Sequence, residues 1–219
     1  MEIIKLIIFD LDGTLADSAP DIATAVNRMR RELGHAEKLL AQVKQWVGNG
    51  SATLVKRALA DALHMKPEEI PAPLFQQAHE LFFNHYRQCN GDNTTLYEHV
   101  LPTLQKIKQL GIQQAVCTNK PGEFTQVLLK KLQIDSFFTC VVSGDTLPQK
   151  KPDPAPLLFC AEQCEVPVNQ CLMVGDSMTD VRAAQNANMS VVCVSYGYNR
   201  GDDLASECAV IVNLNDLTL

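Results

Sequence analysis

No apolar run in the 219-residue chain is long enough to cross a bilayer as a helix. The first such run, Ile3 to Phe9, is short and is soon broken by acids, which excludes a signal peptide as well. A basic surplus is also missing: Lys and Arg number 19 against 25 Asp and Glu, for a net charge of −6. General nucleic-acid and membrane surfaces usually need a basic patch, so neither is expected as a partner. An anionic small substrate stays open, because a site can be locally positive. None of the eight cysteines forms a C-x-x-C pair, and several (Cys117, Cys171, Cys193) sit inside apolar runs. They read as reduced, buried thiols of a cytoplasmic protein rather than as a disulfide framework. The five histidines follow no metal-ligand spacing and receive no role. There is no internal repeat and no low-complexity tract.

What is present is an alternation. Short β-branched runs at Ile3–Phe9, Ile112–Cys117, Thr139–Ser143, Cys171–Val174, Ser190–Ser195 and Ala209–Val212 predict strands. Helical patterns fall between most of them, at Val100–Gln109, Glu123–Leu132, Ala155–Glu165 and Thr179–Asn186. Continuous apolar strands alternating with helices predict an α/β fold: a doubly wound, mostly parallel sheet in three layers. Residues 18 to 90 break the rhythm. Amphipathic stretches run through Ile22–Leu33, Ala52–Leu63 and Leu74–Arg87, with no convincing strand. They read as a helical cap inserted after the first strand, with residues 1–17 and 91–219 forming the core domain. The junctions fall at Ala16–Ser18 and at the polar stretch Cys89–Thr95.

Ligands of an open parallel sheet bind beyond the carboxyl ends of its strands. Asp10 and Asp12 follow the first strand, and Thr118, Asn119 and Lys120 follow the second. "SGDTLPQKKPDP" follows the third and "GDSMTD" the fourth. Residues two apart in an extended segment share a face, about 7 Å along the chain. Asp10 and Asp12 are therefore expected to converge, with Asp176 arriving from a neighbouring strand. Carboxylates this close raise one another's pKa unless a cation intervenes, and a hard divalent ion such as Mg²⁺ meets that need. Each motif alone has a plainer reading. "DLDGT" can be a strand with an Asp-Gly turn. Ser177–Asp180 has the S-x-x-D form of a helix start. Thr118 can cap a helix whose first turn suits Pro121, and Lys150 and Lys151 can be solvated charges. Their joint placement after successive strands is what singles them out.

In this order, "DLDGT", the Thr after the second strand, "KPDP" and "GDSMTD" resemble the four motifs of the haloacid dehalogenase superfamily. "WVGNG" in the inserted segment and the late "YGYNRG" further resemble phosphoglycolate phosphatases. The resemblance implies a Mg²⁺-dependent phosphatase of a small phosphorylated metabolite, monomeric or homodimeric, with 2-phosphoglycolate as the expected substrate. It implies Asp10 as the nucleophile that forms an aspartyl-phosphate. Asp12 becomes the acid that protonates the leaving alkoxide and then the base that activates water. Mg²⁺ would be held by the Asp10 carboxylate, the Asp12 backbone carbonyl and Asp176, with Asp180 orienting a metal water or Lys151. Thr118 and the amides of Asn119 and Lys120 would bind phosphoryl oxygens, and Lys151 would neutralise charge on nucleophile and phosphate.

In the cap, Gly48, Asn49 and Gly50 are candidates to approach a small ligand closely. Arg57 is a candidate partner for a substrate carboxylate. The chain departs from the pattern twice. "LYEHV" stands where relatives often carry Pro-Gly, which leaves only a local turn open. "NANM" stands where a glycine often ends the helix, and Asn188 is expected to take the left-handed conformation there. Three alternatives remain. One is a phosphatase of a sugar phosphate, amino-sugar phosphate, pyrophosphate or nucleotide, and another a phosphomutase. The third is a phosphorylatable signalling module, although receiver domains are shorter and need no helical lid.

Overall fold

A computed structural model describes residues 3–199 and 201–217. Along the chain, β1 (Leu6–Phe9) leads into β2 (Ala16–Asp17), followed by α1 (Ala19–Glu32), α2 (Leu40–Lys44), α3 (Ser51–Leu63) and α4 (Ala72–Cys89). Then come β3 (Thr95–Leu96), α5 (Val100–Gln109), β4 (Gln113–Cys117), α6 (Gly122–Lys131), β5 (Cys140–Val142) and α7 (Ala155–Gln163). The chain closes with β6 (Cys171–Gly175), α8 (Met178–Asn186), β7 (Ser190–Val194) and β8 (Ala209–Ile211).

Six strands form one parallel sheet in the order β5-β4-β1-β6-β7-β8. The chain winds away from β1 in both directions, so its carboxyl end is the switch point of the fold. Phe9 pairs in register with Val116 on one side and Val174 on the other. Asp10 therefore emerges level with the ends of β4 and β6, beside the loops that carry Thr118 and Asp176.

All four β1 side chains are buried because the sheet is covered on both faces. Ile7 and Phe9 pack with Leu104, Ile107 and Leu128. Leu6 and Ile8 pack with Leu157, Cys160 and Ala183 on the other face. The α/β architecture expected from the sequence is the one observed. Its boundaries shift slightly: β1 begins at Leu6, and Ile3 is exposed. Asn188 has φ +53°, the left-handed turn expected after α8. His99, in place of the relatives' Pro-Gly, has φ +65° at the start of α5.

Helices α1 to α4 share a hydrophobic cluster of their own, with Met29, Trp46, Leu59 and Phe82 among its members. Phe124 and Tyr198 of the α/β unit extend it across the seam. Two features had no clear sequence signal. The five residues of α2 are too few to show a period, and β2 and β3 pair only as Ala16 with Leu96 and Asp17 with Thr95. That two-residue antiparallel ribbon lies where the chain passes between the sheet unit and the helices. All eight cysteines are free; six are buried, and Cys140 and Cys208 are partly exposed. Among the described residues no helix is long and apolar enough to cross a membrane.

Candidate active site

The carboxyl end of β1 delivers Asp10, whose amide donates to Val174 O at 2.9 Å. One carboxylate oxygen each of Asp10, Asp176 and Asp180 lie within 4.8 Å of one another, and all three residues are buried. Lys151 Nζ sits among them, 3.0 Å from Asp10 Oδ1 and 2.6 Å from Asp180 Oδ1. Asp10 Oδ1 lies within ion-pairing distance of this lysine yet makes no directed hydrogen bond.

The electrostatics follow from burial and crowding. Burial pushes the Asp10 carboxyl up to about 6; Lys151 opposes the rise, while Asp180 and Asp12 add to it. Burial also holds Asp176 well above the usual carboxylate range, with the Asp180 and Asp10 charges adding to it. Burial alone would lower the Lys151 pKa, but the Asp10 and Asp180 carboxylates outweigh it and keep the ammonium charged.

Each oxygen of the neighbouring acids is assigned. Asp176 Oδ1 accepts from Thr14 Oγ1 at 3.2 Å, and its Oδ2 accepts from the Tyr198 amide at 2.6 Å. Asp180 Oδ2 accepts from Ser177 Oγ at 2.7 Å and from the Ser177 amide at 3.2 Å, forming the reciprocal cap of α8. Its other oxygen grips Lys151. Asp180 therefore both starts the helix and aims the lysine, and the capping and functional readings of "DSMTD" describe one arrangement. Gly13 has φ +94°, and a Cβ there would fall 2.4 Å from Asp176 Oδ2. Only glycine lets the turn after Asp12 pass this close to the acid.

Asp12 is turned away from that cluster. Its carboxylate accepts from Ser18 Oγ at 2.5 Å and from Lys120 Nζ at 3.0 and 3.2 Å. Lys120 Nζ also donates to the Tyr86 hydroxyl of α4 at 2.5 Å, and lies 4.7 Å from the centre of that ring. Thr118 is buried, and its Oγ1 accepts from the Lys120 amide at 3.3 Å. The Asn119 side chain donates to Lys151 O at 2.9 Å and Gly48 O at 3.3 Å, tying the loop after β4 to the helical unit.

A cleft opens above Asp10 and Asp12, between the sheet edge and the helices. Thr118, Asn119 and Lys120 line it from below, and Gly48, Gly50 and Tyr86 from above. Its water-accessible volume is about 40 Å³, room for roughly three waters. Gly50 has φ +85°, and a Cβ there would lie 3.3 Å from Asn119 O. The glycine at position 50 thus lets this loop rest against the sheet edge.

Residues 7–194 match the family described as haloacid dehalogenase-like hydrolase. The chain belongs to that family. A phosphoglycolate phosphatase of Pseudomonas savastanoi pv. phaseolicola is 44% identical over 97% of this chain and 77% of its own length. One from Psychrobacter arcticus is 43% identical over 91% of this chain and 87% of its own. A crystal structure from Haemophilus somnus 129pt, described as a predicted phosphoglycolate phosphatase, superposes with a TM-score of 0.91 at 32% identity. It covers 99% of this chain and 97% of that one. The protein is an enzyme of the phosphatase type within this hydrolase family.

Two of the cap candidates, Arg57 and Asn49, stand outside the cleft. Arg57 does not line the cleft over Asp10. Its guanidinium donates to Trp46 O and to Asn49 Oδ1, both at 2.9 Å, and it borders a separate surface depression with Thr53 and Arg182. The periodicity of α3 marks Arg57 as polar-faced but not which neighbour that face meets. Asn49 also turns outward, donating to Thr179 Oγ1 at 3.0 Å across the seam. Four contributors carry no direct sequence signal of that role: the Lys120 side chain, Tyr86, Ser18 and Tyr198. The strand-end position of Lys120 points to its amide alone. Tyr198 lies in "YGYNRG" after β7, at the same sheet edge as the motifs, and that position was the available signal.

Proposed function

We propose that the enzyme hydrolyses 2-phosphoglycolate to glycolate and phosphate, with Mg²⁺, through a phosphoryl group carried on Asp10. The convergence of Asp10, Asp176, Asp180 and Lys151 at the β1 switch point carries this reading. The activity for which the relatives are named supports the choice of substrate. The narrow cleft supports a small one.

The residues fit a hard cation. Asp10 Oδ1 is buried with no directed hydrogen bond, and Asp10 and Asp176 are both raised, by burial first and by neighbouring carboxylates after it, so a cation there would relieve both effects. Asp10 and Asp176 would hold Mg²⁺ through their carboxylates, and Asp12 through its backbone carbonyl. Asp180 keeps the supporting place that its bonds to Lys151 and Ser177 give it. Bound there, the ion would neutralise charge shared by nucleophile and phosphoryl oxygens.

This chain's own groups account for the rest. An Asp10 carboxylate oxygen attacks phosphorus, and the ester P–O bond breaks. Asp12, held by Ser18 and Lys120, passes a proton to the departing alkoxide. Asp12 then takes a proton from water, whose oxygen attacks the same phosphorus and releases the Asp10 carboxylate with inorganic phosphate. Lys151 offsets repulsion between the two anions as they close, and Thr118 positions phosphoryl oxygens. The cap helices keep bulk water from the phosphoenzyme. Free thiols and the want of any membrane-crossing helix among the described residues support a cytoplasmic setting.

The test is a panel of phosphorylated metabolites assayed with and without Mg²⁺, with trapping of acid-stable phosphate on the protein. We expect 2-phosphoglycolate to be the best substrate and Asp10→Asn to release no phosphate. Turnover by that variant near the wild-type rate would refute the nucleophile. A sugar phosphate turned over far better would refute the substrate.

A further inference from the structure

We propose that Lys120, together with the Tyr86 hydroxyl, reads a carboxylate on the leaving group of the substrate. This rests on the phosphatase reading above and assigns its selectivity to two side chains. Among the described residues that line the cleft, Lys120 is the one cation, and it is 5% exposed. A buried ammonium is costly unless its donors are used. Lys120 Nζ has three N–H groups. The Asp12 carboxylate takes one as a shared contact at 3.0 and 3.2 Å, and the Tyr86 oxygen takes another at 2.5 Å. The third is left for a ligand. Tyr86 accepts from the lysine, so its own O–H is also available to donate. Burial and the Asp12 charge push the Tyr86 pKa well up, which keeps that proton in place.

The position suits the chemistry. Asp12 must lie beside the ester oxygen it protonates, so the first carbon of the leaving group lies there too. Lys120 Nζ is 3.0 Å from Asp12, within reach of a carboxylate borne on that carbon. Against a single further hydroxyl, that of Ser51, which already bonds His79, most of the remaining wall is apolar: Ile22, Val47, Leu54, Phe82 and Phe124. Sugar hydroxyls laid against them would lose water without gaining partners. Charge points the same way. Asp10, Asp12, Asp176 and Asp180 against Lys120 and Lys151 leave −2 before any divalent cation, and Mg²⁺ brings the floor to neutrality. A substrate carboxylate then needs the local cation that Lys120 supplies.

Matched esters test this: 2-phosphoglycolate against ethyl phosphate, and 2-phospholactate against isopropyl phosphate. Each is assayed with wild type, Lys120→Met, Lys120→Arg and Tyr86→Phe. Wild type is expected to favour the acid of each pair. Lys120→Met should slow both classes, because Lys120 also holds Asp12. It should lower kcat/KM for the acids by a further factor on the order of 100, since a buried charge loses its partner; the acid-to-alcohol ratio is the readout. Lys120→Arg should restore part of the loss, and Tyr86→Phe should cost the acids roughly tenfold. Equal losses on acids and alcohols would overturn the assignment, because Lys120 would then act through Asp12 or the phosphoryl group. Wild-type preference for the alcohol esters would overturn it too, leaving the phosphatase reading intact. Preference for 2-phospholactate over 2-phosphoglycolate, with both acids losing their advantage over the alcohol esters in Lys120→Met, would support Lys120 while refuting 2-phosphoglycolate as the substrate.

Discussion

Lys151 Nζ stands 2.6 Å from Asp180 Oδ1, and both side chains are buried. Asp180 spends its other oxygen on the amide and hydroxyl of Ser177. The carboxylate that starts α8 is thus the one that aims the lysine. Asp180→Asn keeps the size but removes the charge opposite Lys151. Turnover should fall by about two orders of magnitude, the scale for losing one preorganised electrostatic group, with a smaller change in KM. Asp180→Ala should add a stability loss of about 1 kcal/mol from the missing cap. Steady-state kinetics paired with thermal unfolding of both variants checks the split.

Asp10 carries a stability cost for its burial. Its carboxyl is raised from 3.8 to about 6, with burial the largest cause. A raised acid binds its proton more tightly in the folded state than in the unfolded one. The penalty for the buried charge is therefore full above pH 6, shrinks as pH falls towards 4, and is gone below the unfolded value. Asp10→Asn should accordingly be more stable than wild type at pH 7.5 in chelator, by up to about 3 kcal/mol, and inactive. The advantage should vanish near pH 4. Added Mg²⁺ should raise the wild-type Tm and leave the variant's almost unchanged. Denaturant titrations at several pH values, with and without the ion, measure this.

How much of this was readable beforehand depends on where each signal lies along the chain. β1 was legible because Leu6–Phe9 is apolar on both faces, and Asp10 because it ends that run. Asp176 and Asp180 were legible for the same reason at the end of β6. Lys120 shows the limit. Its backbone position follows from β4, but a long side chain can reach several partners, and its partner Tyr86 lies in a separate helix. The Tyr198 amide reaches Asp176 from a loop with no period at all. Arg57 stands outside the cleft for a related reason: helical spacing gives the face a residue occupies, and tertiary packing decides what that face meets.

The place of Arg57 outside the cleft sets what its removal should do. Its bonds to Trp46 O and Asn49 Oδ1 brace the loop that carries Gly48 and Gly50, and Asn49 in turn holds Thr179. Arg57→Ala should slacken the fit of that loop over the cleft for every substrate alike. We expect a KM rise of a few-fold, roughly 1 kcal/mol, equal for 2-phosphoglycolate and an uncharged aryl phosphate. A loss confined to 2-phosphoglycolate would instead return Arg57 to carboxylate recognition.

Asp21 anchors the second crossing between the helical unit and the sheet unit. It is fully buried in the first turn of α1. It accepts from the amides of Gly91 at 3.0 Å, Asn93 at 2.9 Å and Thr94 at 3.0 Å, and from the Thr94 hydroxyl at 2.6 Å. No cation pairs with it among the described contacts; donors alone hold the charge. Asp21→Ala strands the amides of Gly91, Asn93 and Thr94, the last of them in a buried residue, at about 2–4 kcal/mol. For a chain of this length that is a Tm drop of roughly 10 °C. Asp21→Asn keeps the acceptor oxygen but sets an NH₂ against donors, and should cost about half as much. Because Asp21 lies outside the cleft, both variants should keep near-normal kcat well below their Tm. A variant that unfolds normally yet has lost its turnover would show that this junction governs closure of the cap rather than only its attachment.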